Sequence, residues 1–171
     1  ALILGGPSGS GLATAHRLLG HLIAYLRAAL PQLRASSTTL GKEVELCEAY
    51  LNILRTRIGS RLAFTVDVPD ALRAQPFPPN LLVSLVENAI KHGIEPSADG
   101  GTIALAARRA GDRLVVEVAD TGIGIASEPA RPGGGVGLAN VRERLAALYG
   151  PRGRFTLTPV EPRGTRAALE I

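Results

Sequence analysis

Three stretches of this chain place chemically capable side chains at spacings that local structure can use. In the first, Pro79 to Gly93, residues Ser84, Asn88, Lys91 and His92 fall at i, i+4, i+7 and i+8, the spacing of one helical stripe. An amide oxygen such as that of Asn88 can ligate a hard cation, and an ammonium one turn further on can meet a phosphate. Lys91 is one of only two lysines among nineteen Lys and Arg residues, so a lysine is not the default cation here. Read alone, the stripe equally describes a buried helix with a solvated edge. The second stretch is Asp120-Thr121-Gly122-Ile123-Gly124, delivered by the apolar run Leu114 to Ala119. A carboxylate ending a buried strand can accept from an exocyclic amine while glycine backbone closes over the ring; a plain Asp-x-Gly turn has the same letters. The third is Gly133 to Asn140, glycine-rich and opening a helix, where free N–H groups and positive potential can hold a phosphate chain.

These residues need elements to position them. Pro79 suits a first helical position and Gly93 the residue past the end, with Leu82, Leu85, Val86 and Ala89 as the apolar stripe between them. Upstream, Leu12 to Leu30 reads as a helix ended by Pro31, with Leu12, Ala15, Leu19, Leu22, Leu26 and Ala29 forming a packing seam. A second helix, capped by Thr39 and stopped at Gly59, repeats the pattern in Leu40, Val44, Cys47, Leu51, Leu54 and Ile58. It can pair with the first as a hairpin or lie against the domain that follows. Strands are predicted at Leu62–Val68, Thr102–Arg108, Arg113–Ala119, Arg154–Pro159 and Thr165–Ile171, with a further helix over Val136–Tyr149. Helices beside a mostly antiparallel sheet make an α+β, two-layer sandwich with an N-terminal helical segment. Two domains are expected: 1–58, truncated dimerisation and linker helices, and 59–171, the domain carrying the glycine motifs.

Composition narrows the chemistry further. At 171 residues the chain can bury a sizeable core without staples. The net charge of +4 is scattered, and three Tyr, three Phe and no Trp give no platform for stacking bases, so no direct nucleic-acid contact is expected. The lone Cys47 excludes an internal disulfide and fits a reducing compartment. No apolar run approaches the ~20 residues of a membrane span. The chain begins with Ala and lacks Met, which predicts a piece of a longer protein whose membrane part lies elsewhere. Gly6 to Gly11 imitates a P-loop, but Leu12 and Ala13 stand where Lys and Ser or Thr must follow, so it is read as a glycine-rich linker or a frayed end.

In combination and order, the three motifs resemble the Bergerat-type ATP-binding fold of gyrase, heat-shock chaperones, histidine kinases and mismatch-repair ATPases. Leu85 to Gly93, Tyr50-Leu51-Asn52-Ile53 with Arg57, and Gly137 to Leu145 resemble the LytS-type sensor histidine kinases in particular. The resemblance implies ATP and Mg²⁺ as ligands. Asn88 would hold the metal, and Lys91 and His92 would contact phosphates. Asp120 would accept the adenine amine beside Gly122 and Gly124, with Thr165 backing the pocket. Gly135, Gly137 and Leu138 would enclose the phosphates beneath a short lid, Ala126 to Gly135. Glu87 falls in the catalytic motif without a role that its position supplies. The resemblance further implies transfer of the γ-phosphoryl to a histidine and then to an aspartate on a response regulator, itself a DNA-binding transcription regulator. It implies a homodimer, with this part cytoplasmic and the intact protein in the bacterial inner membrane. Alternatives are a hydrolytic ATPase of the same fold, a regulatory serine kinase, or a non-catalytic nucleotide-binding module. The hydrolytic reading needs a Glu four residues before Asn88, and Ser84 stands there.

Overall fold

The computed structural model describes residues 9–32, 37–125 and 136–171. Helix α1 (Gly9–Gln32) leads through the short strand β1 (Thr38–Thr39) to helix α2 (Leu40–Ile58). Strand β2 (Leu62–Asp67), the single-turn helix α3 (Asp70–Arg73) and strand β3 (Pro76–Phe77) precede helix α4 (Leu81–Ala89). Strands β4 (Gly101–Ala110) and β5 (Arg113–Asp120), helix α5 (Val136–Tyr149) and strands β6 (Arg154–Pro159) and β7 (Thr165–Glu170) complete the chain.

Five strands form one sheet in the order β2-β4-β5-β7-β6, parallel only between β2 and β4. β1 and β3 form a separate antiparallel ribbon. The core lies between the sheet and helices α2, α4 and α5, joining Leu40, Val44 and Leu51 of α2 to Leu82 and Leu85 of α4, Ile103 and Leu105 of β4, and Val141 and Leu145 of α5. The predicted seam of α2 is therefore interior, and Cys47 within it is fully buried, where desolvation pushes its thiol up. The Thr39 hydroxyl accepts the Lys42 N–H at 3.4 Å, the expected N-cap. Beyond α2, Gly59 takes a φ of 72°, the expected stop.

Several expectations need correcting. Pro31 lies inside the last turn of α1 instead of ending it. Most of the predicted seam of α1 does not pack on α2: Leu12, Leu19, Leu22 and Leu26 are exposed, while Ala29 packs against the core. Instead α1 meets α2 through Tyr25, stacked at a tilt 6.2 Å from Tyr50, and through His21, whose Nδ1 lies 3.1 Å from the Thr56 hydroxyl. Pro79 is not the first residue of α4: Asn80 adopts a φ of 60° and the helix starts at Leu81. Gly93 does not end it either, since the chain continues as a turn of π-helix over Ile90–Ile94. The strand pair β1–β3 and helix α3, two and four residues long, are too short for hydrophobic periodicity to reveal.

Candidate nucleotide-binding site

Leu81, Leu82, Leu85, Val86 and Ala89 bury one side of α4 and leave Ser84 and Asn88 half-buried. The Ser84 hydroxyl donates to the Asn80 carbonyl at 2.7 Å, so that side chain is spent on its own helix. After Ala89 the winding widens, and the Glu95 N–H reaches back five residues to the Ile90 carbonyl at 2.8 Å. This change falls between Asn88 and Lys91, so the expected α-helical stripe is not continuous. Such π-turns inside α-helices are frequent at functional sites. Among the described residues, the side chains of Asn88, Lys91, His92 and Glu87 make no hydrogen bond or ion pair, and the last three are exposed.

Gly93 is where this helix meets the sheet. Its carbonyl accepts the Ile123 N–H at 3.1 Å. A Cβ on Gly93 would stand 2.5 Å from Asp120 Oδ1, and one on Gly122 would stand 2.1 Å from the Gly93 carbonyl oxygen. A Cβ on Gly164, whose φ is 139°, would meet the Asp120 carbonyl oxygen at 2.0 Å. Three glycines thus let three backbone segments close around one residue, Gly93 against the Asp120 carboxylate, Gly122 against Gly93, and Gly164 against the Asp120 backbone carbonyl. Sequence reasoning gave Gly93 a different task and Gly164 none. Their signal was the placement of a lone glycine beside each motif, which does not distinguish a helix stop or turn from a close approach.

Asp120 ends β5 at 3% exposure, paired with Ile103 of β4 and Thr165 of β7. Its Oδ1 accepts the Gly122 N–H at 2.9 Å. Burial raises its carboxyl above the ordinary value, while the backbone N–H groups of Gly122 and Thr165 pull it partway back. The site thus offers a fixed, strongly accepting oxygen pair against a wall without side chains. Gly124, at φ 80°, continues that wall against Gly164, and Ile123 and Ile125 are large apolar side chains left exposed beside it.

The structure brings the end of α4, the π-turn and the end of β5 together, with Thr165 alongside. Gly137 and Leu138 lie in the first turn of α5, which packs its Val141 and Leu145 into the common core. Among the described residues, a Cβ on Gly137 would meet nothing within 4 Å, so packing against them does not require glycine there. Gly135 and the predicted lid, 126–135, lie outside the described residues. No cluster of three His, Cys, Asp or Glu side chains able to hold a metal occurs among the described residues.

Residues 77–171 match the family model described as histidine kinase-, DNA gyrase B- and HSP90-like ATPase, and residues 10–62 match a histidine kinase model. The chain is 30% identical to the sensor protein LytS of Enterococcus faecalis over 167 residues, covering 92% of this chain and 28% of that protein. It is 35% identical to the sensor histidine kinase BtsS of Escherichia coli over 136 residues, covering 80% of this chain and 24% of that protein. The chain therefore spans about a quarter of the length of these curated relatives. Among solved structures, the histidine kinase domain of a blue-light activated histidine kinase from Erythrobacter litoralis shares the fold, with a TM-score of 0.60 at 20% identity, over 92% of this chain and 74% of that one.

Proposed function

Because the chain belongs to the family of histidine kinase-, DNA gyrase B- and HSP90-like ATPases, we propose that it is the ATP-binding catalytic part of a two-component sensor histidine kinase. The observation that carries this reading is the buried Asp120 carboxylate, packed against Gly93 and Gly122 where the segment that follows Asn88 meets the end of β5, with Gly164 against the Asp120 backbone. The residues fit ATP. A flat ring needs a wall without Cβ atoms, its exocyclic amine needs an acceptor, and Asp120 offers Oδ2 beyond the bond that Oδ1 makes to Gly122. Thr165 would back the ring through the β7 backbone.

Asn88 would hold Mg²⁺ through its amide oxygen, the remaining ligands coming from phosphates and water, as suits a small cation that keeps most of its hydration. Lys91 and His92 would meet the phosphates, and Gly135, Gly137 and Leu138 would close around them at the start of α5. We assign Glu87 to the same catalytic segment, exposed next to Asn88. The work of such a site is positioning and charge neutralisation, not covalent chemistry. In the transfer, the bond from the γ-phosphorus to the bridging oxygen breaks, a bond to an imidazole nitrogen forms, and the imidazole releases its proton. A hydrolytic role is disfavoured by Ser84, whose hydroxyl is already committed to the Asn80 carbonyl and which has no carboxylate to activate water.

By role, residues 1–58 would be dimerisation and linker helices and 59–171 the catalytic domain, with α2 the linker element embedded in the catalytic core. Leu12, Leu19, Ile23, Leu26 and Leu30 form an exposed row on α1 at steps of seven, four, three and four, which a second copy in the intact protein would cover. The partner in phosphotransfer would be a response regulator, a DNA-binding transcription regulator. No described helix is long and apolar enough to cross a membrane. We place this part in the cytoplasm, with a membrane part elsewhere in the intact protein.

Two results test the reading. Asn88→Ala should weaken ATP binding by about tenfold in Mg²⁺, the effect of one lost metal ligand worth ~1.4 kcal/mol, and leave metal-free binding nearly unchanged. Calorimetry with and without Mg²⁺ measures both, and equal losses would remove the ligand role. Second, incubation of this chain with γ-labelled ATP should leave no acid-labile label, because the histidines present are poorly placed. His16 bonds to the Leu12 carbonyl, His21 faces Thr56, and His92 lies in the phosphate-binding segment itself. In-line transfer needs the acceptor nitrogen about 3–3.5 Å from phosphorus. A longer chain with the upstream segment should label on histidine and pass the label to a regulator. Stoichiometric phosphohistidine at His16 or His21 would mean that the acceptor has been misplaced.

A further inference from the structure

Glu43 is fully buried, in the first turn of α2. Its carboxylate accepts the Asn80 N–H at 2.7 Å and the Leu82 N–H at 3.1 Å. The first N–H groups of an α-helix have no partners within it, and the preceding side chain usually supplies one. Asn80 occupies that position for α4 but makes no side-chain cap, its backbone being left-handed. The cap of α4 is instead delivered by a different helix. Burial raises the Glu43 carboxyl, opposed by backbone donors at Asn80, Leu82 and Val83 and by the charge of Arg144 on α5. A buried carboxylate is tolerable only with such donors, so α2 and α4 hold each other in register.

The far end of α2 is tied to the same segment. Arg57, in its last turn, pairs with Glu95 immediately beyond the π-turn. The anchor points lie roughly 21 Å apart along α2 and roughly 20 Å apart along α4 and the π-turn, at ~1.5 Å per residue. The two helices therefore run parallel, fastened at both ends. The exposed Arg57–Glu95 pair is the weaker tie, as solvated ion pairs contribute little. Because the winding changes between Ala89 and Ile94, the π-turn does not by itself fix where Asn88 sits along the helix axis. The N-terminal cap therefore sets it together with the buried face of α4, Leu82, Leu85 and Val86.

We propose that Glu43 is a positioning residue for the nucleotide site: by capping α4 from α2, it fixes the register of the helix that carries Asn88 and links nucleotide affinity to the placement of α2. This rests on the reading of Asn88 as the Mg²⁺ ligand. The conservative Glu43→Gln keeps the shape but presents an amide N–H₂ to one of two backbone donors, so one N–H must go unpaired. Compare this chain with E43Q, N88A and the double variant by ATP titration with and without Mg²⁺, and follow amide exchange at Asn80 and Leu82.

In the unmodified chain both amides should be protected, although first-turn amides are ordinarily open. In E43Q both should exchange at least about fivefold faster, as loss of a cap worth ~1 kcal/mol or more implies. Affinity for Mg²⁺-ATP should fall about tenfold in E43Q and no further in the double variant, since both changes act through one ligand. A purely structural role would lower metal-free and metal-dependent affinity alike. Unprotected Asn80 and Leu82 amides in the unmodified chain overturn the proposal, whether or not E43Q folds. So does a folded E43Q with unchanged Mg²⁺-ATP affinity beside an N88A that has lost it. An N88A with unchanged affinity overturns the Asn88 reading instead, and the Glu43 proposal then stands or falls on the E43Q affinity loss and amide exchange.

Discussion

Gly122→Ala is expected to remove ATP binding and to destabilise the domain together. The added Cβ would lie 2.1 Å from the Gly93 carbonyl oxygen and 2.2 Å from the Gly93 carbonyl carbon, both backbone atoms that no rotamer change can move aside. Relief requires the end of β5 to separate from the π-turn, breaking the 3.1 Å bond from the Ile123 N–H to the Gly93 carbonyl. The stability loss should reach about 3 kcal/mol, the upper end of overpacking costs. If the wall opens by that amount, ATP affinity falls by about 100-fold or more. Denaturant unfolding and nucleotide titration read the two effects. Gly20→Ala is the control: it sits in exposed α1 with nothing among the described residues within 4 Å of its Cβ, and alanine is the better helix former, so stability should hold or rise slightly. A G122A chain that binds ATP normally would contradict the close packing of Gly93 on Gly122.

Asp120→Asn is expected to separate recognition from stability. The amide keeps an oxygen for the Gly122 N–H but replaces the other acceptor with a donor facing the adenine amine, at a cost of about 1–3 kcal/mol in ATP binding. Stability should move the other way. Burial raises the Asp120 carboxyl in the folded chain, so the fold holds that proton more tightly than the unfolded chain does. The contribution of Asp120 to stability is therefore largest below its unfolded pKa and declines as pH rises through the folded value. Asparagine cannot ionise and escapes that decline. Melting temperatures of D120N and the unmodified chain should converge near about pH 4, and D120N should be at least as stable near about pH 7. A D120N chain less stable at neutral pH would mean that the carboxylate supports the fold and is not held ready for a ligand.

These effects indicate which features of the molecule are written locally. Strands β4 to β7 and helix α5 follow from alternation and turn residues, so their bounds agree with the sequence reading to within a residue or two. The Thr39 cap and the Gly59 stop are equally local. Pro79 and Gly93 mislead because the same residue types serve two purposes. Pro79 is buried in the approach to α4, and Gly93 is there so that Asp120 and Gly122 can come close. Only the tertiary neighbour distinguishes these uses. Glu43 is legible only in three dimensions: it reads as one acidic residue in a first helical turn, and nothing nearby in sequence announces that its donors lie 37 and 39 residues away. The α1 seam has the correct period but does not say what covers it.

The most direct measurement is titration of this chain with ATP and with GTP, each in the presence and absence of Mg²⁺. ATP should bind, Mg²⁺ should strengthen it, and GTP should bind at least about tenfold more weakly, because its ring presents a carbonyl to the Asp120 carboxylate where ATP presents an amine. Equal binding of the two nucleotides, or no binding of either, would contradict the assignment of the Asp120 cradle as an adenine site, and with it the central claim.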